Sequence, residues 1–450
     1  MKKIKQHKAH IISLGCPKNL IDSEVMGGLL NQSGLQMIDR SDSADIVIVN
    51  TCAFIKPAKE EALEEILTLA EAKKNGDRQF KLVVAGCLAQ RYGKELSAQI
   101  PEVDLFIGTG EVGNIVRHIN KLDEIKFRRA SVITKPDFLM TSQHPRILTP
   151  TTTSVYLKIS DGCSNCCSYC VIPSIRGKAR SRTPDDILRE AANLAAKGIK
   201  EIIITGQDTT AYGKDLKSRP RLSDLLNGMT QIRGIKWIRL LYAHPAHITK
   251  DVLETIAANE KICRYIDLPI QHIDNTILSA MNRKVTGAKI KEIIAQAREI
   301  IPAVALRTSL IIGFPGETKK RLERLLDFVR DTKFDHLGVF IYSREEGTSA
   351  AQLKSQIPEK EKERRREIIM NEQAAISNAI NKRLIGTVQE VLIEEKSDRP
   401  DYDFMGRCRR QAPEIDGVTY IKAKQAKIGS LVKCKIITAD DYDLFGEIIY

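Results

Sequence analysis

The chain has 450 residues, of which 42% are hydrophobic and 28% are charged. This composition excludes a disordered, collagen-like or coiled-coil protein, and no run of about 18 apolar residues or signal peptide is present, so we expect a cytoplasmic protein of two to four domains. The net charge of +13 favours anionic surroundings such as nucleic acid or a ribonucleoprotein, but it specifies no binding mode.

Residues 9 to 122 alternate short apolar runs with helical patterns. The runs are flanked by Gly, Asn or Asp, as buried strands usually are. The predicted strands are His10–Leu14, Asp45–Val49, Leu82–Ala85 and Leu105–Ile107. The clearest helix lies between the second and third of these, with Pro57 near its start and Gly76 at its end. The alternation predicts an open parallel βα sheet covered by helices.

Residues 123 to 148 lose this pattern and are predicted to be a linker. A second βα series follows over residues 149 to 384. Its six candidate strands are Val155–Ile159, Glu201–Thr205, Trp237–Leu241, Tyr265–Leu268, Leu306–Ile312 and Leu337–Tyr342. Six strands separated by helices predict a partial (βα)6 barrel, whose site would lie at the carboxyl ends of the strands. A charged helix over residues 359 to 384 closes this unit and is expected to be solvated.

Residues 385 to 450 change to strand-like segments separated by short turns. Their length and pattern predict a small all-β barrel of the oligonucleotide-binding type. This region carries 10 Lys and Arg residues against 12 Asp and Glu residues. A module that binds nucleic acid is expected to be basic, so the acidic balance argues against direct contact with phosphates.

The strongest chemical signal is a group of four crowded cysteines just after the first barrel strand. They are Cys163, Cys166, Cys167 and Cys170. Thiolates hold iron–sulfur clusters, and three of them on a four-iron cluster leave one iron open for a cosubstrate. The competing interpretations are buried cysteines or a zinc site, although zinc usually takes four ligands and no second Cys-x2-Cys pair follows. The spacing alone leaves open whether Cys166 or Cys167 is the middle ligand.

A second group of cysteines follows successive strands of the N-terminal sheet. Cys16, Cys52 and Cys87 are about one βα unit apart, so parallel strands would bring all three to the same edge of the sheet. Three buried cysteines are the alternative, but equivalent strand ends favour a second cluster. Packing residues are expected at the three remaining positions, Cys263, Cys408 and Cys434.

A glycine-rich turn and several polar groups are predicted at the barrel mouth. The turn follows the fifth strand and exposes backbone groups to an adenine-like ligand. Its residues are Gly313, Pro315 and Gly316. Gln207, Asp208 and Thr209 follow the second strand as polar groups of the mouth, and a helix N-cap by Asp208 or Thr209 is the alternative. Arg307 on the fifth strand is expected to face inward and to pair with a carboxylate.

These motifs resemble those of the methylthiotransferases of the radical S-adenosylmethionine superfamily, over nearly the whole chain. The resemblance implies a cysteine-bearing N-terminal domain, a CxxxCxxC radical core and a C-terminal TRAM domain. The implied ligands of the radical cluster are Cys163, Cys167 and Cys170. The implied ligands of an auxiliary cluster are Cys16, Cys52 and Cys87. Tyr169 falls on the aromatic position before the last cysteine, and Cys166 departs from the pattern.

Several segments resemble the RimO type of this family, which modifies an aspartate of small-subunit ribosomal protein twelve. They are GCPKNLIDSE from Gly15, YIDLPIQH from Tyr265 and TADDYDLFGEI near the end. Members that act on transfer RNA usually carry GCQMN and LPVQSGS at the first two places. The acidic balance of residues 385 to 450 favours a basic protein over phosphates. The alternatives are the sister activity on transfer-RNA adenosine and a non-catalytic iron–sulfur protein that binds ribosomes.

The resemblance implies two [4Fe–4S] clusters and S-adenosylmethionine as cofactors. A 5′-deoxyadenosyl radical would abstract hydrogen from the aspartate β-carbon, a step beyond acid–base side chains, and the auxiliary cluster would supply sulfur. A second S-adenosylmethionine would supply the methyl group. The implied partners are ribosomal protein twelve and an electron donor such as flavodoxin or ferredoxin, with no membrane and with nucleic acid contacted only through the ribosome. We expect the two clusters to face a shared cavity between neighbouring domains.

Overall fold

The computed structural model describes residues 7–76, 78–122, 130–149, 152–423 and 425–450. These residues form an N-terminal βα unit, a central βα unit and a C-terminal β-barrel, in the predicted order. Among them, no helix combines the length and the apolarity that crossing a bilayer requires.

The N-terminal unit is a six-stranded parallel sheet. Its strands are β1 (Lys8–Ser13), β2 (Gln36–Met37), β3 (Ile46–Thr51), β4 (Lys81–Gly86), β5 (Leu105–Ile107) and β6 (Ala130–Val132). Its helices are α1 (Pro17–Gln32), α2 (Lys56–Lys74), α3 (Cys87–Gln99) and α4 (Ile115–Asn120). The strands pair in the order β2-β1-β3-β4-β5-β6, which confirms the predicted open parallel sheet. β3 is buried over its whole length, as its continuous apolar run indicates.

Two of these strands are not predicted from the sequence. β2 has only two residues, and β6 lies inside the segment predicted to be a linker, where it extends the sheet by pairing with β5. All three residues of β6 are only half-buried, so no apolar run marks the strand. Residues 123–129 of that predicted linker lie outside the described residues.

The central unit contains six parallel strands and a short antiparallel pair. Its strands are β7 (Ser154–Lys158), β8 (Ser160–Asp161), β9 (Arg180–Ser181), β10 (Glu201–Thr205), β11 (Trp237–Leu240), β12 (Tyr265–Asp267), β13 (Ala305–Ile312) and β14 (His336–Ile341). Its helices are α5 (Ile172–Arg176), α6 (Pro184–Ala196), α7 (Leu222–Thr230), α8 (Lys250–Ala258), α9 (Asn275–Ala280), α10 (Gly287–Ile300), α11 (Lys319–Thr332) and α12 (Glu359–Lys382). The parallel strands form the triplets β11-β10-β7 and β12-β13-β14. A bridge between Ile238 and Ile262 joins the triplets, confirming the predicted partial barrel.

The charged helix α12 is not fully solvated, contrary to expectation. One row of its side chains is buried against the barrel, including Arg365, Ile369 and Gln373. Arg365 donates to Glu317 Oε1 (2.8 Å), and Gln373 donates to the backbone oxygen of Phe334 (2.8 Å). The row is mostly polar and its charged groups are paired, so charge alone gives no sign that it is buried.

The C-terminal unit is a closed five-stranded barrel. Its strands are β15 (Val388–Lys396), β16 (Phe404–Cys408), β17 (Thr419–Lys422), β18 (Leu431–Ala439) and β19 (Leu444–Ile448), and they close in the order β15-β16-β17-β19-β18. This confirms the predicted small β-barrel, although β16 is not predicted. The barrel lies against the amino-terminal ends of the central strands: Arg407 pairs with Glu201 (2.5 Å), and Tyr265 donates to Asp416 (2.6 Å). The carboxyl ends of those strands therefore face away from it.

Candidate metal centres

The three N-terminal cysteines lie at the carboxyl edge of the first sheet. Cys16 is the N-cap of α1, Cys52 directly follows β3, and Cys87 opens α3 directly after β4. Because β1, β3 and β4 are neighbouring parallel strands, all three cysteines reach one edge of the sheet, as their spacing predicts. Cys52 and Cys87 are buried, and Cys16 is half-buried.

Glycines before two of these cysteines let the loops approach one another. Gly15 has a φ of +90°, and a Cβ atom there would lie 2.5 Å from Cys52 Cβ. Gly86 has a φ of +93°, and a Cβ atom there would lie 2.3 Å from Asn50 Oδ1. Both the backbone conformation and the contact require glycine. The sequence therefore encodes close packing of the thiol-bearing loops.

Cations and helix N-termini surround the N-terminal thiols. Burial raises the pKa of Cys87 to about 12 and also raises the pKa of Cys52. Burial acts in the same direction on Cys16, but the Lys18 and Arg176 cations outweigh it, so the pKa of Cys16 is lowered. Cys16 and Cys87 also lie where backbone N–H groups at a helix start favour an anion. These surroundings suit thiolates bound to a metal centre.

The crowded cysteines lie on the loop between β8 and α5, beyond the carboxyl end of β7. Burial raises the pKa of Cys163 to about 11 and that of Cys170 to about 12, and the Cys167 thiolate adds to both increases. The backbone N–H of Cys170 donates to the oxygen of Cys167 (3.1 Å). The structure therefore brings Cys163, Cys167 and Cys170 together.

Cys166 and Cys167 have different surroundings. Cys166 is exposed, and its thiol lies 3.8 Å from the backbone oxygen of Ser164. Cys167 is half-buried, and the Arg283 guanidinium donates toward its sulfur at 3.8 Å. A buried cation beside a sulfur atom favours the thiolate that a metal requires. The surroundings therefore support Cys167 rather than Cys166 as the middle ligand.

The sulfur atoms of each triad are too far apart for a single ion. Three thiolates on one zinc ion would lie about 4 Å from one another. Potential metal ligands are the side chains of His, Cys, Asp and Glu. Among the described residues, only one group of three has all its ligand atoms within 4.8 Å of one another, namely Asp208, His244 and His247. Neither cysteine triad meets that limit, so in each triad at least one pair of sulfur atoms is farther apart than a single zinc site allows.

Asp208 joins the crowded-cysteine loop to the strand ends of the barrel. Its Oδ2 atom accepts from Asn165 of that loop (2.7 Å) and lies 2.6 Å from His247 Nδ1. Its Oδ1 atom accepts from the backbone N–H of Ala211 (3.1 Å), which agrees with the N-cap alternative. Burial raises the pKa of Asp208, but the His247 hydrogen bond and nearby charge outweigh it and hold the pKa at about 2. No sequence signal pairs Asp208 with Asn165 or with His247, because these contacts exist only after folding.

Most predicted cosubstrate contacts lie around the barrel mouth. The side-chain N–H of Gln207 donates to Asp161 (3.2 Å), while its Oε1 atom is buried without a hydrogen-bond partner. Tyr169 packs against the buried cluster of Phe314 and Tyr342, and burial raises its pKa well above the ordinary value. The turn residues follow β13 directly. They are Gly313 (φ +75°), Pro315 and Gly316 (φ +84°).

Arg307 is not brought to the thiols. It pairs with Asp267 (2.8 Å), as its predicted inward orientation requires, and it also lies 3.4 Å from Asp416 of the C-terminal barrel. Its register partner is His336, the first residue of β14, so it lies toward the amino-terminal end of that strand. Asp267 is the last residue of β12 and also accepts from the backbone N–H of Tyr242, whereas Asp416 belongs to the C-terminal barrel, so Arg307 lies between the two ends of the central barrel.

Arg176 connects the two thiol groups through a buried network that the sequence does not reveal. Its guanidinium donates to Asn19 (2.6 Å) and Asp22 (2.8 Å) of α1 and to Asp161 (3.1 Å), just before the crowded cysteines. The backbone oxygen of Gly177, the next residue, accepts from the N–H of Cys163 (3.0 Å). Its charge also acts on all three N-terminal thiols. The two triads therefore flank one junction between domains.

Three family models match the chain in succession. Residues 8–108 match "Uncharacterized protein family UPF0004", residues 157–329 match "Radical SAM superfamily", and residues 385–449 match "TRAM domain". Both thiol triads fall within the first two matches.

Solved structures share the fold. A radical S-adenosylmethionine methyltransferase, TsrM, from Kitasatospora setae, solved with cobalamin and a [4Fe-4S] cluster bound, aligns with a TM-score of 0.56 at 15% identity. The alignment covers 88% of this chain and 82% of that one. At this identity the likeness concerns the fold alone.

Curated relatives match from end to end. A protein of Syntrophus aciditrophicus named ribosomal protein uS12 methylthiotransferase RimO is 54% identical over 99% of both chains. Proteins of the same name from Geobacter sulfurreducens and Clostridioides difficile are 47% and 44% identical, covering 99% and 98% of this chain and 99% of each relative. With this identity over its full length, the chain belongs to the RimO family of radical S-adenosylmethionine methylthiotransferases.

Proposed function

We propose that this chain transfers a methylthio group to the β-carbon of an aspartate in small-subunit ribosomal protein twelve, uS12. The observation that carries the proposal is the likeness, over 99% of the chain, to a protein named for methylthiolation of uS12. The two thiol groups support it, because the reaction needs a radical source and a sulfur source.

The proposal gives each thiol group a separate [4Fe–4S] cluster. Cys163, Cys167 and Cys170 would hold the radical cluster. Cys16, Cys52 and Cys87 would hold the auxiliary cluster. The cations beside Cys16 and Cys167 support both assignments, and neither triad is close enough for one zinc ion. When bound, the clusters and S-adenosylmethionine supply the electron transfer, radical, sulfur and methyl group that side chains do not provide.

The residues around the barrel mouth would orient S-adenosylmethionine. The buried Oε1 atom of Gln207 lacks a hydrogen-bond partner and is available to a ligand donor. In the turn, the N–H groups of Gly313 and Gly316 already donate to Glu317 and Ser355, so the turn would offer carbonyl oxygens. Tyr169, held neutral by burial, would pack beside the radical cluster. We leave Arg307 out of this set because Asp267 and Asp416 occupy it.

The proposal divides the work among three domains, residues 9–122, 149–384 and 385–450. The first would supply sulfur, the second would generate the radical, and the third would face the substrate protein. The C-terminal domain carries 10 Lys and Arg against 12 Asp and Glu, a balance that suits a basic ribosomal protein better than phosphates. Electrons would come from a flavodoxin or a ferredoxin.

Mass spectrometry of uS12 and of transfer RNA tests the function. We expect cells that lack this chain to lose the methylthio group on the uS12 aspartate, and we expect its return with the wild-type chain. Transfer-RNA nucleosides serve as the internal control and should be unchanged. Loss of the methylthio group from RNA alone would contradict the proposal and would assign the sister activity instead.

A further inference from the structure

Lys18 is a buried cation at the junction between the two thiol groups. It lies on the first turn of α1, two residues after Cys16, and only 7% of its surface is exposed. Its ammonium nitrogen lies 3.4 Å from the centre of the Tyr242 ring, which comes from the end of β11 in the central unit. Lys18 thus reaches from the N-terminal domain into the barrel mouth.

The carboxylates nearest along this junction are already paired. Asp22, one turn further along α1, accepts from Lys158 (2.6 Å) and Arg176 (2.8 Å). Asp161 accepts from the same two cations, at 2.8 Å and 3.1 Å. Two cations and two carboxylates balance one another in this network. Within the described part of the chain, no carboxylate lies within ion-pair distance of Lys18, so its ammonium has the Cys16 thiol and Tyr242 as neighbours rather than a carboxylate.

A buried ammonium without a carboxylate is costly unless an anion completes its surroundings. Tyr242 offers its ring face and its hydroxyl rather than a carboxylate, and the neighbouring Arg176 is a cation. Cys16 and Tyr242 on either side are half-buried, so the ammonium is close to accessible surface. The place therefore suits a small anionic group that arrives with a ligand.

The backbone holds Tyr242 in an uncommon conformation that places its ring against Lys18. Tyr242 has a φ of +59°, in the left-handed region. Asp267 accepts from the N–H of Tyr242 (2.9 Å), and the backbone oxygen of Tyr242 accepts from the N–H of Thr209 (3.1 Å). Strain of this kind persists only where surrounding contacts fix it, and it concentrates at functional sites.

We propose that Lys18, seated on Tyr242, binds the side-chain carboxylate of the substrate aspartate and thereby selects an acidic residue for modification. This inference rests on the proposed function. The carboxylate is one bond from the β-carbon, so anchoring it at the junction would hold that carbon between the two thiol groups. The same residue would discriminate against an amide, which leaves the ammonium unpaired.

The test compares holoenzyme binding to two synthetic peptides by fluorescence anisotropy. Both peptides carry the uS12 sequence around the target residue, one with Asp and one with Asn at that position. We expect the wild-type protein to bind the Asp peptide about tenfold to a hundredfold more tightly. We expect Lys18→Met to abolish this preference by weakening only the Asp complex, and Lys18→Arg to retain most of it. Lys56→Met removes an exposed charge and should change neither complex.

Three results would overturn the inference. The first is equal binding of the Asp and Asn peptides by the wild-type protein. This measurement needs no variant, so it does not depend on how well the variants fold. Equal weakening of both peptides by Lys18→Met, or a changed cluster absorption spectrum with the Asp preference retained, would assign Lys18 to the cluster. Failure of the proposed function is separate: wild-type holoenzyme would then transfer no methylthio group to uS12 at all.

Discussion

Cys166 and Cys167 are adjacent in sequence, but they are expected to behave differently when substituted. Cys167 lies beside Arg283 and the other two thiols, whereas Cys166 is exposed. We predict that Cys166→Ser reconstitutes with about eight iron atoms per chain, four for each cluster, whereas Cys167→Ser retains about four. Iron and sulfide analysis after anaerobic reconstitution measures this. Full iron content in Cys167→Ser would show that Cys166 replaces it as a ligand.

Substitutions in the two cysteine triads are predicted to block different steps of the reaction. Under a strong reductant, Cys163→Ala should form no 5′-deoxyadenosine, because it removes a ligand of the radical cluster. Cys52→Ala should still form it but should transfer no methylthio group, because it alters only the proposed sulfur source. Chromatography of 5′-deoxyadenosine and mass spectrometry of the uS12 product give the two readouts. Identical behaviour of both variants would contradict this division.

At the residue scale, the sequence predicts where the cysteines lie better than it predicts their surroundings. Cys16, Cys52 and Cys87 are predictable because equivalent strand ends of a parallel sheet lie at one edge. The roles of Arg176 and Lys18 are not predictable, because their partners come from different domains. Arg307 pairs with a carboxylate, Asp267, as predicted, whereas its second neighbour, Asp416, comes from the C-terminal barrel and has no sequence signal.

At the element scale, α1 offers a matched pair of glycines. A Cβ atom on Gly28 would lie 2.3 Å from the backbone oxygen of Pro145, whereas one on Gly27 would lie 3.7 Å from Ile11 Cδ1, an ordinary contact. We predict that Gly28→Ala lowers the free energy of unfolding by about 1–3 kcal/mol through overpacking. Gly27→Ala should keep it or raise it by up to about 1 kcal/mol, because alanine favours a helix. Urea unfolding followed by circular dichroism compares the two variants.

Equal effects of the two substitutions would show that α1 is free to move away from the segment around Pro145. The expected difference matters for function because α1 carries Lys18 and Asp22 toward the barrel, where Asp22 pairs with Lys158 (2.6 Å). A shift of the helix would loosen this contact. Activity loss in Gly28→Ala beyond the change in stability would therefore report on the junction.

Elements are predictable where periodicity and burial agree. The six parallel barrel strands carry apolar runs, and the structure confirms each within a residue or two. β6 and β16 are missed because they lack such runs: β6 is half-buried throughout, and β16 contains Gly406 and the buried Arg407. Helix α12 is predicted from the sequence, but its buried face is mostly polar. The pattern of polar and apolar residues therefore predicts the wrong environment for that face.

At the scale of the whole molecule, the crowded cysteines and the C-terminal barrel lie at opposite ends of the central barrel. The crowded cysteines and Gln207 lie at the carboxyl ends of its strands, and the C-terminal barrel packs against the amino ends. The N-terminal domain reaches the carboxyl ends through Arg176 and Lys158. The target aspartate would therefore approach the junction of the first two domains, while the third domain, held at the other end by buried ion pairs, would face a different part of the substrate protein.

Glu201 is the centre of the ion pairs that fix the C-terminal barrel. It is fully buried and accepts from Arg239 (2.8 Å) and from Arg407 of β16 (2.5 Å). Burial raises its pKa, but the two arginines outweigh this and lower it from 4.5 to about 2. A lowered pKa contributes stability above pH 4.5 that is lost as the pH falls toward 2, and the shift corresponds to about 3 kcal/mol.

We therefore predict that Glu201→Gln lowers the free energy of unfolding at neutral pH by about 3–5 kcal/mol, because it leaves buried arginine charge uncompensated. The difference from wild type should shrink as the pH falls from 4.5 toward 2, because the wild-type carboxylate then becomes protonated. Fluorescence of Trp237, the single tryptophan, follows urea unfolding at this interface, where its indole donates to Glu390 (2.9 Å). Asp224→Asn, in an exposed pair, is the control and should have little effect. A difference that stays constant across this pH range would mean that Glu201 is not what fixes the C-terminal barrel.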